Sequence, residues 1–244
     1  MTLRSKRYKD NIEKYDETKI YSLGDGIDLI KETSNIKFDE TIDISINLNV
    51  DAAASDQNVR GVINLTNGIG KDLRVAVFAK GEKAKEAKDS GADIVGSDDL
   101  VEKVSSGIID FERCISTPEM MPLVGKLGKV LGPKGLMPNP RIGTVTNEIE
   151  TAVKAAKAGS VEFRTEKSGI VQAGVGKASF SKDALQQNII EFVSAVKKEK
   201  PSAAKGVFLK KVSLSSTMGF GVNIDTSIFN WSCFSASFFW CTLS

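Results

Sequence analysis

The sequence predicts a mixed protein in which an α+β domain drawn from both chain ends brackets an α/β domain. Three observations lead there. TIDISINLNV alternates strictly, with Ile42, Ile44, Ile46 and Leu48 on one face, as a half-buried strand does. LRVAVFA, residues 73–79, is instead a continuous apolar run, as in a strand covered on both faces. From Gly159 onward the alternating style returns.

Each element follows in order. Residues 23–34 have helical spacing, with Ile27, Ile30 and Lys31 behind a Gly/Asp entry. After the strand at 41–50, VRGVINL (59–65) predicts a second strand and TNGIGKD a turn. A Lys/Glu/Ala helix over 82–88 follows the buried run, then a short strand in GADIVG, a helix over 98–106 and a strand at 113–116. Strand, helix, strand, helix, strand is the mark of βαβ units and a parallel sheet. GKLGKVLGPKGLMPNPR, residues 125–141, reads as a long loop stiffened by proline. TNEIETAVKAAKAG then closes the block as a helix, capped by Thr146 and stopped by Gly159. SVEFR and GIVQAGVG predict strands around the EKSG turn, residues 166–169. KDALQQNIIEFVSAVKKEKP is an amphipathic helix ended by Pro201, and GVFLKKVSLSSTMG is a long final strand. The domains expected are 1–66 with 160–227, and 67–159 between them; no internal repeat is seen.

Composition narrows the chemistry. The chain has 244 residues, 33 Lys plus Arg and 31 Asp plus Glu, a net charge of +2. Only clustering of that charge, not its sum, argues for a nucleic-acid partner. There is no histidine, which removes the commonest general base and zinc ligand. Cys114, Cys233 and Cys241 are too few and scattered for a disulfide framework, and Cys114 reads as a small buried residue in a reducing compartment. The basic start has no apolar h-region after it, and no apolar run is long enough to span a bilayer. No metal, cofactor or catalytic site is predicted.

The Gly/Pro run is the most conspicuous stretch. It lacks the phosphate-loop pattern: Leu127 follows Gly125-Lys126, and Met120 stands where the first glycine belongs. No dinucleotide fingerprint follows a strand. From Met120 to Asn147 it holds Lys126, Lys129, Lys134 and Arg141 and no carboxylate. It is therefore either an ordered loop with lysines in water or a basic loop that meets nucleic-acid phosphate.

MMPLVGKLGKVLGPKGLMPNPRIGTVT resembles the signature of a large-subunit ribosomal protein family, the L-one or stalk proteins in their bacterial form. KFDETIDISINLNVD, DQNVRGVINLTNGIGK, VAVFAKGEKAKEAKDSGAD, VEFRTEKSGIV and VSLSSTMG are also similar to family segments, in the same order. The resemblance spans about residues 5–226. It implies a split two-layer α+β domain and an inserted three-layer, Rossmann-like α/β domain. It also implies binding to large-subunit rRNA at the mobile stalk, help in releasing deacylated tRNA from the exit site, and translational repression of the chain's own mRNA. The implied setting is the ribosome, in the cytoplasm or an organelle, with a protein that is monomeric when free of it and needs no membrane.

Carried over from the family, the RNA surface comprises Lys37, Phe38 and Thr41 at the start of the first strand, and Arg164 and Lys167 by the hairpin. It continues with Ser213, Ser215, Thr217, Met218 and Gly219 at the end of the last strand. Hydroxyls and backbone groups suit RNA read by shape, and Gly219 is expected to admit the RNA backbone closely. From the residues alone, Phe38 reads as core, and the Ser/Thr run reads equally as a solvated edge strand. Lys126, Lys129, Gly132, Lys134, Gly135, Met137, Asn139 and Arg141 form a secondary RNA contact or an interdomain loop. The rival reading is a nucleotide-dependent enzyme built on the middle domain. Two departures from the family stand out. Phe220 replaces the usual proline and is expected to loosen or reorient the neighbouring turn. Residues 228–244 are expected to be an unstructured apolar tail of non-family sequence.

Overall fold

The computed structural model describes residues 11, 15–16, 19–34, 36–51, 57–71, 73–107, 109–140, 143–201, 204 and 206–230. It is a mixed assembly of helices and sheets in two compact units. One comprises the residues up to Val59 and from Arg164 onward; the other is Arg60–Phe163.

In the end-derived unit, strand β1 (Thr41–Leu48) buries Ile42, Ile44, Ile46 and Leu48 as its alternation predicts. It lies between β7 (Ile170–Lys177) and β8 (Leu209–Ser216), antiparallel to both, and β9 (Gly221–Ile224) completes the order β7-β1-β8-β9. Helix α1 (Leu23–Thr33) starts where Ser22 Oγ accepts the Asp25 N–H at 3.2 Å, and it buries Leu23, Ile27 and Ile30. Helix α7 (Lys182–Lys198) starts from Ser181 in the same way and buries Leu185, Ile189, Phe192, Val193 and Val196. The two helices pack on each other, α1 against β8 and β9 and α7 against β7. The final strand is shorter than its sequence suggests. The chain reverses over Thr217–Phe220, with the Gly219 N–H donating to the Ser216 carbonyl at 3.2 Å, and β9 returns beside β8.

In the central unit, β3 (Val75–Phe78) is buried at every residue and lies between β4 (Ile94–Gly96) and β5 (Arg113–Ser116), parallel to both. Alternate residues of β3 serve two cores. Ala76 and Phe78 pack with Leu100 and Val104 of α3 (Asp98–Ser105) and with Val124, Leu127 and Leu131. Val75 and Val77 pack with Ala87 of α2 (Glu82–Asp89) and Ile149 and Val153 of α6 (Ile149–Lys157). Helices thus cover both faces, which is why β3 shows no alternation. β2 (Arg60–Asn64) pairs with β6 (Ser160–Arg164) in a separate two-stranded sheet rather than with the four-stranded one.

Three local expectations change. The run from Gly125 is helical in its first half, with a 3-10 turn at Pro118–Met120, α4 (Met121–Lys126) and α5 (Gly128–Leu131). Val124, Leu127 and Leu131 recur at helical spacing and are buried, and that burial outweighs the glycines. Thr146 does not cap α6: its hydroxyl accepts the Glu148 N–H at 3.1 Å, and Glu148 occupies the cap position. Gly159 does end that helix, at φ +94° and with Gly68 backbone 2.9 Å from where a Cβ would stand. Finally, Ser227–Asn230 form a 3-10 turn with Phe229 buried, so the expected unstructured tail does not begin at residue 228; residues 231–244 lie outside the described residues.

Candidate nucleic-acid interface

Paired residues of an antiparallel ladder share a face, so the register identifies what lies opposite the helices. Gln172, Ser45, Ser213 and Asn223 form one row across all four strands, with Ser213 Oγ donating to Asn223 Oδ1 at 3.1 Å. Gly174, Asp43, Ser215 and Gly221 form the next. Asn47 and Lys211 continue the surface toward one end. This face is a lattice of hydroxyl, amide and charged groups with no large apolar side chain in either full row. Partial burial in the sheet pushes the Asp43 carboxyl above its ordinary range, while the Lys177 ammonium acts in the opposite sense.

At one end of this face the start of β1 meets the β8–β9 turn. The Thr217 N–H donates to the Thr41 carbonyl at 3.1 Å, and the Thr41 N–H donates to Thr217 Oγ1 at 3.0 Å. Lys177 Nζ donates to Thr41 Oγ1 at 3.1 Å. Lys37 is exposed, and Phe38 and Met218 expose 51% and 56% of their surface, so Phe38 is not core. Exposed aromatic and thioether groups beside cations offer a soft surface to a base or ribose. Gly219 has a close neighbour of its own. Its φ is not in the left-handed region, and a Cβ there would stand 2.4 Å from Ser216 Oγ. A side chain there would first have to displace the Ser216 hydroxyl. Phe220 does not leave the turn loose either, because its ring stacks on Tyr15 with centroids 4.2 Å apart.

Arg164 and Lys167 lie at the opposite end. Both are exposed, Arg164 as the last residue of β6 and Lys167 on the β6–β7 connection, whose Gly169 carbonyl accepts the Leu48 N–H at 3.0 Å. The run of β1 between the two groups is roughly 23 Å at about 3.3 Å per residue. The structure thus places Lys37, Phe38, Thr41, Thr217, Met218 and Gly219 together, Ser213 and Ser215 mid-face, and Arg164 and Lys167 at the far end. Sequence reasoning missed Ser45, Asn47, Gln172, Lys211 and Asn223. The alternation of β1 marked the first two as outward-facing; the others depend on register.

In the central unit, Lys126, Lys129 and Lys134 are exposed. Gly132 ends α5, where a Cβ would meet the Gly128 carbonyl oxygen at 2.5 Å, and Gly135 has φ +71° in open space. Met137 packs against the α3–α4 side of the core, and the Asn139 N–H donates to Thr144 Oγ1 at 2.8 Å. Arg141 lies outside the described residues.

A sequence model of the ribosomal protein L1p/L10e family matches residues 30–220. The chain belongs to the ribosomal protein L1p/L10e family. Membership makes it a structural ribosomal protein, associated with the rRNA of the large subunit. The L1p/L10e match takes in parts of both units and every site residue expected from the sequence, and it leaves Tyr15, Tyr21 and Asn223 outside. This is a structural rather than an enzymatic family, which leaves the nucleotide-dependent enzyme without support. Burial pushes the Cys114 thiol up to about 12, so it stays protonated at neutral pH. No three Cys, Asp or Glu side chains gather to hold a metal among the described residues, and no helix among them is long and apolar enough to cross a membrane.

Proposed function

We propose that the chain binds the stalk region of large-subunit rRNA through the four-stranded sheet's end at Thr41 and Thr217 and its polar face. As a constituent of the large subunit, it assists release of deacylated tRNA from the exit site and represses translation of its own mRNA by the same RNA contacts. The observation that carries this reading is the junction of β1 with the β8–β9 turn. The threonines interlock there, Met218 follows Thr217 and is exposed, Lys177 donates to Thr41 Oγ1, and exposed Lys37 and Phe38 lie within four residues of Thr41 in the chain. Such a surface combines charge for phosphate with hydroxyl and apolar groups for ribose and base edges. The exposed lysines of the Gly/Pro run are a secondary contact. On this reading the end-derived unit is the split RNA-binding domain that the family resemblance implies, and the central unit is its insertion.

The test is binding of the full-length chain to a transcript of the stalk-region rRNA. Met218→Ala and Thr217→Val should each weaken affinity at least tenfold, about 1.4 kcal/mol, with thermal midpoints little changed. Unchanged affinity in both variants, with folding intact, moves the site elsewhere. A transcript of the chain's own mRNA leader should compete with the rRNA; failure to compete removes the repressor role alone.

A further inference from the structure

The β8–β9 turn is held from two sides. From one, Thr217 and Thr41 exchange backbone and hydroxyl hydrogen bonds. From the other, Tyr15 stacks on Phe220 with centroids 4.2 Å apart and an interplanar angle of 26°, and its hydroxyl donates to the Gly221 carbonyl at 2.6 Å. Tyr15 is anchored in turn. Its ring stacks on Tyr21 at 6.1 Å, and Tyr21 makes a parallel bridge to Ile224 on the edge strand. The Tyr21 N–H donates to the Asn223 carbonyl at 2.9 Å, and its own carbonyl accepts the Asp225 N–H at 3.0 Å. Residues far away in sequence thus close the sheet edge and brace the turn that presents Met218.

We propose that Tyr15 is a positioning residue for RNA binding, setting the Thr217–Gly219 turn through its stack on Phe220 without touching RNA itself. This rests on the RNA-binding reading above. The physical reason is the turn's composition. Gly219 leaves the backbone between Met218 and Phe220 with little intrinsic restraint, and Phe220 fixes no φ as a proline would. The stacked ring restrains it from the Phe220 side, across from the Thr217–Thr41 bonds. Phe220→Pro would supply that restraint from the backbone and make Tyr15 dispensable.

The experiment uses the full-length chain and four variants: Tyr15→Ala, Tyr15→Phe, Phe220→Pro, and Phe220→Pro with Tyr15→Ala. Thr217→Val is the control. Two quantities are read: hydrogen exchange of the Gly219 amide in the free protein, and affinity for the stalk-region transcript. Tyr15→Ala should speed Gly219 exchange and weaken RNA binding, each at least fivefold. Tyr15→Phe keeps the stack and should recover most of the affinity. Tyr15→Ala should have no further effect in the Phe220→Pro background. If Tyr15→Ala leaves affinity unchanged while Thr217→Val weakens it, the positioning role is overturned and the RNA site stands. An equal loss from Tyr15→Ala in the parent and in the Phe220→Pro background also overturns it, because Tyr15 would then act independently of the turn. If Thr217→Val has no effect, the RNA site itself fails and the inference falls with it.

Discussion

Glu40 stands immediately before β1, 1% exposed, and neither carboxylate oxygen has a hydrogen-bond partner. An unpaired buried polar group costs about 1–3 kcal/mol. Glu40→Met should therefore raise the thermal midpoint, and a drop would mean that the carboxylate is compensated. Asp43 carries a second cost. Its folded pKa is raised, chiefly by burial, so its favourable share is complete below the ordinary carboxylate value and is lost as pH rises through the raised one. Asp43→Asn should be more stable than the parent at neutral pH, with the gap closing toward acid. It should also bind RNA more tightly, since a negative charge leaves the polar face. Asp93 has the opposite sign. The bond it accepts from the Val75 N–H is the largest cause of its lowered pKa, so its share is present at neutral pH and lost on acidification. Gly219 has a local constraint that residue type alone does not show. A glycine near a binding surface suggests room for a partner, but the nearby atom is Ser216 Oγ. Gly219→Val should destabilise the fold by about 1–3 kcal/mol of overpacking, visible in thermal denaturation without RNA.

Among the elements, β7 shows how a helix repairs a sheet. The register of β1 against β7 shifts between Ile42 and Asp43, so Val175 has no partner residue across the ladder. Its carbonyl instead accepts the Asn188 Nδ2–H of α7 at 2.8 Å, and Asn188 is fully buried. Asn188→Leu should cost about 1–3 kcal/mol through the carbonyl left unpaired, and chemical denaturation checks it; no loss would mean that the bulge satisfies itself. The α4–α5 pair and the loop after it make a different element. Lys126, Lys129 and Lys134 are exposed there, so changing all three to Gln tests whether the run meets phosphate. Each lysine that neutralises a phosphate should lower the slope of log affinity against log salt by about 0.7–0.9. An unchanged slope leaves these lysines in water.

For the whole molecule, a net charge of +2 gives no general attraction to RNA, so binding has to come from local arrangement. The chain leaves and re-enters the end-derived unit at neighbouring points. The Thr165 N–H donates to the Val59 carbonyl at 2.9 Å, and the Val59 N–H donates to Thr165 Oγ1 at 3.2 Å. Excising Arg60–Phe163 and joining the ends with a short turn should therefore leave a folded unit. It should bind the stalk-region transcript within about tenfold of the full chain, roughly 1.4 kcal/mol. A folded product that binds far more weakly would place the main contacts on the central unit.

Much of this was readable in the chain itself. The alternation of Ile42, Ile44 and Ile46 against the continuous run at Val75–Phe78 distinguishes a sheet covered on one face from one covered on both, because burial pattern follows directly from what packs on each side. The glycine at 159 marks a helix end, since that is a local dihedral. The quoted family segments carried the ribosomal identity. What the sequence left open depends on distance along the chain. Ser45 and Ser213 become neighbours only through strand register, Thr41 meets Thr217 only when β1 and β8 pair, and the Gly/Pro run turns helical only because Val124, Leu127 and Leu131 find a core to enter. Tyr15 reaches Phe220 only across the closed edge of the sheet. Local patterns report what a residue needs; only the packed structure decides which distant residue supplies it.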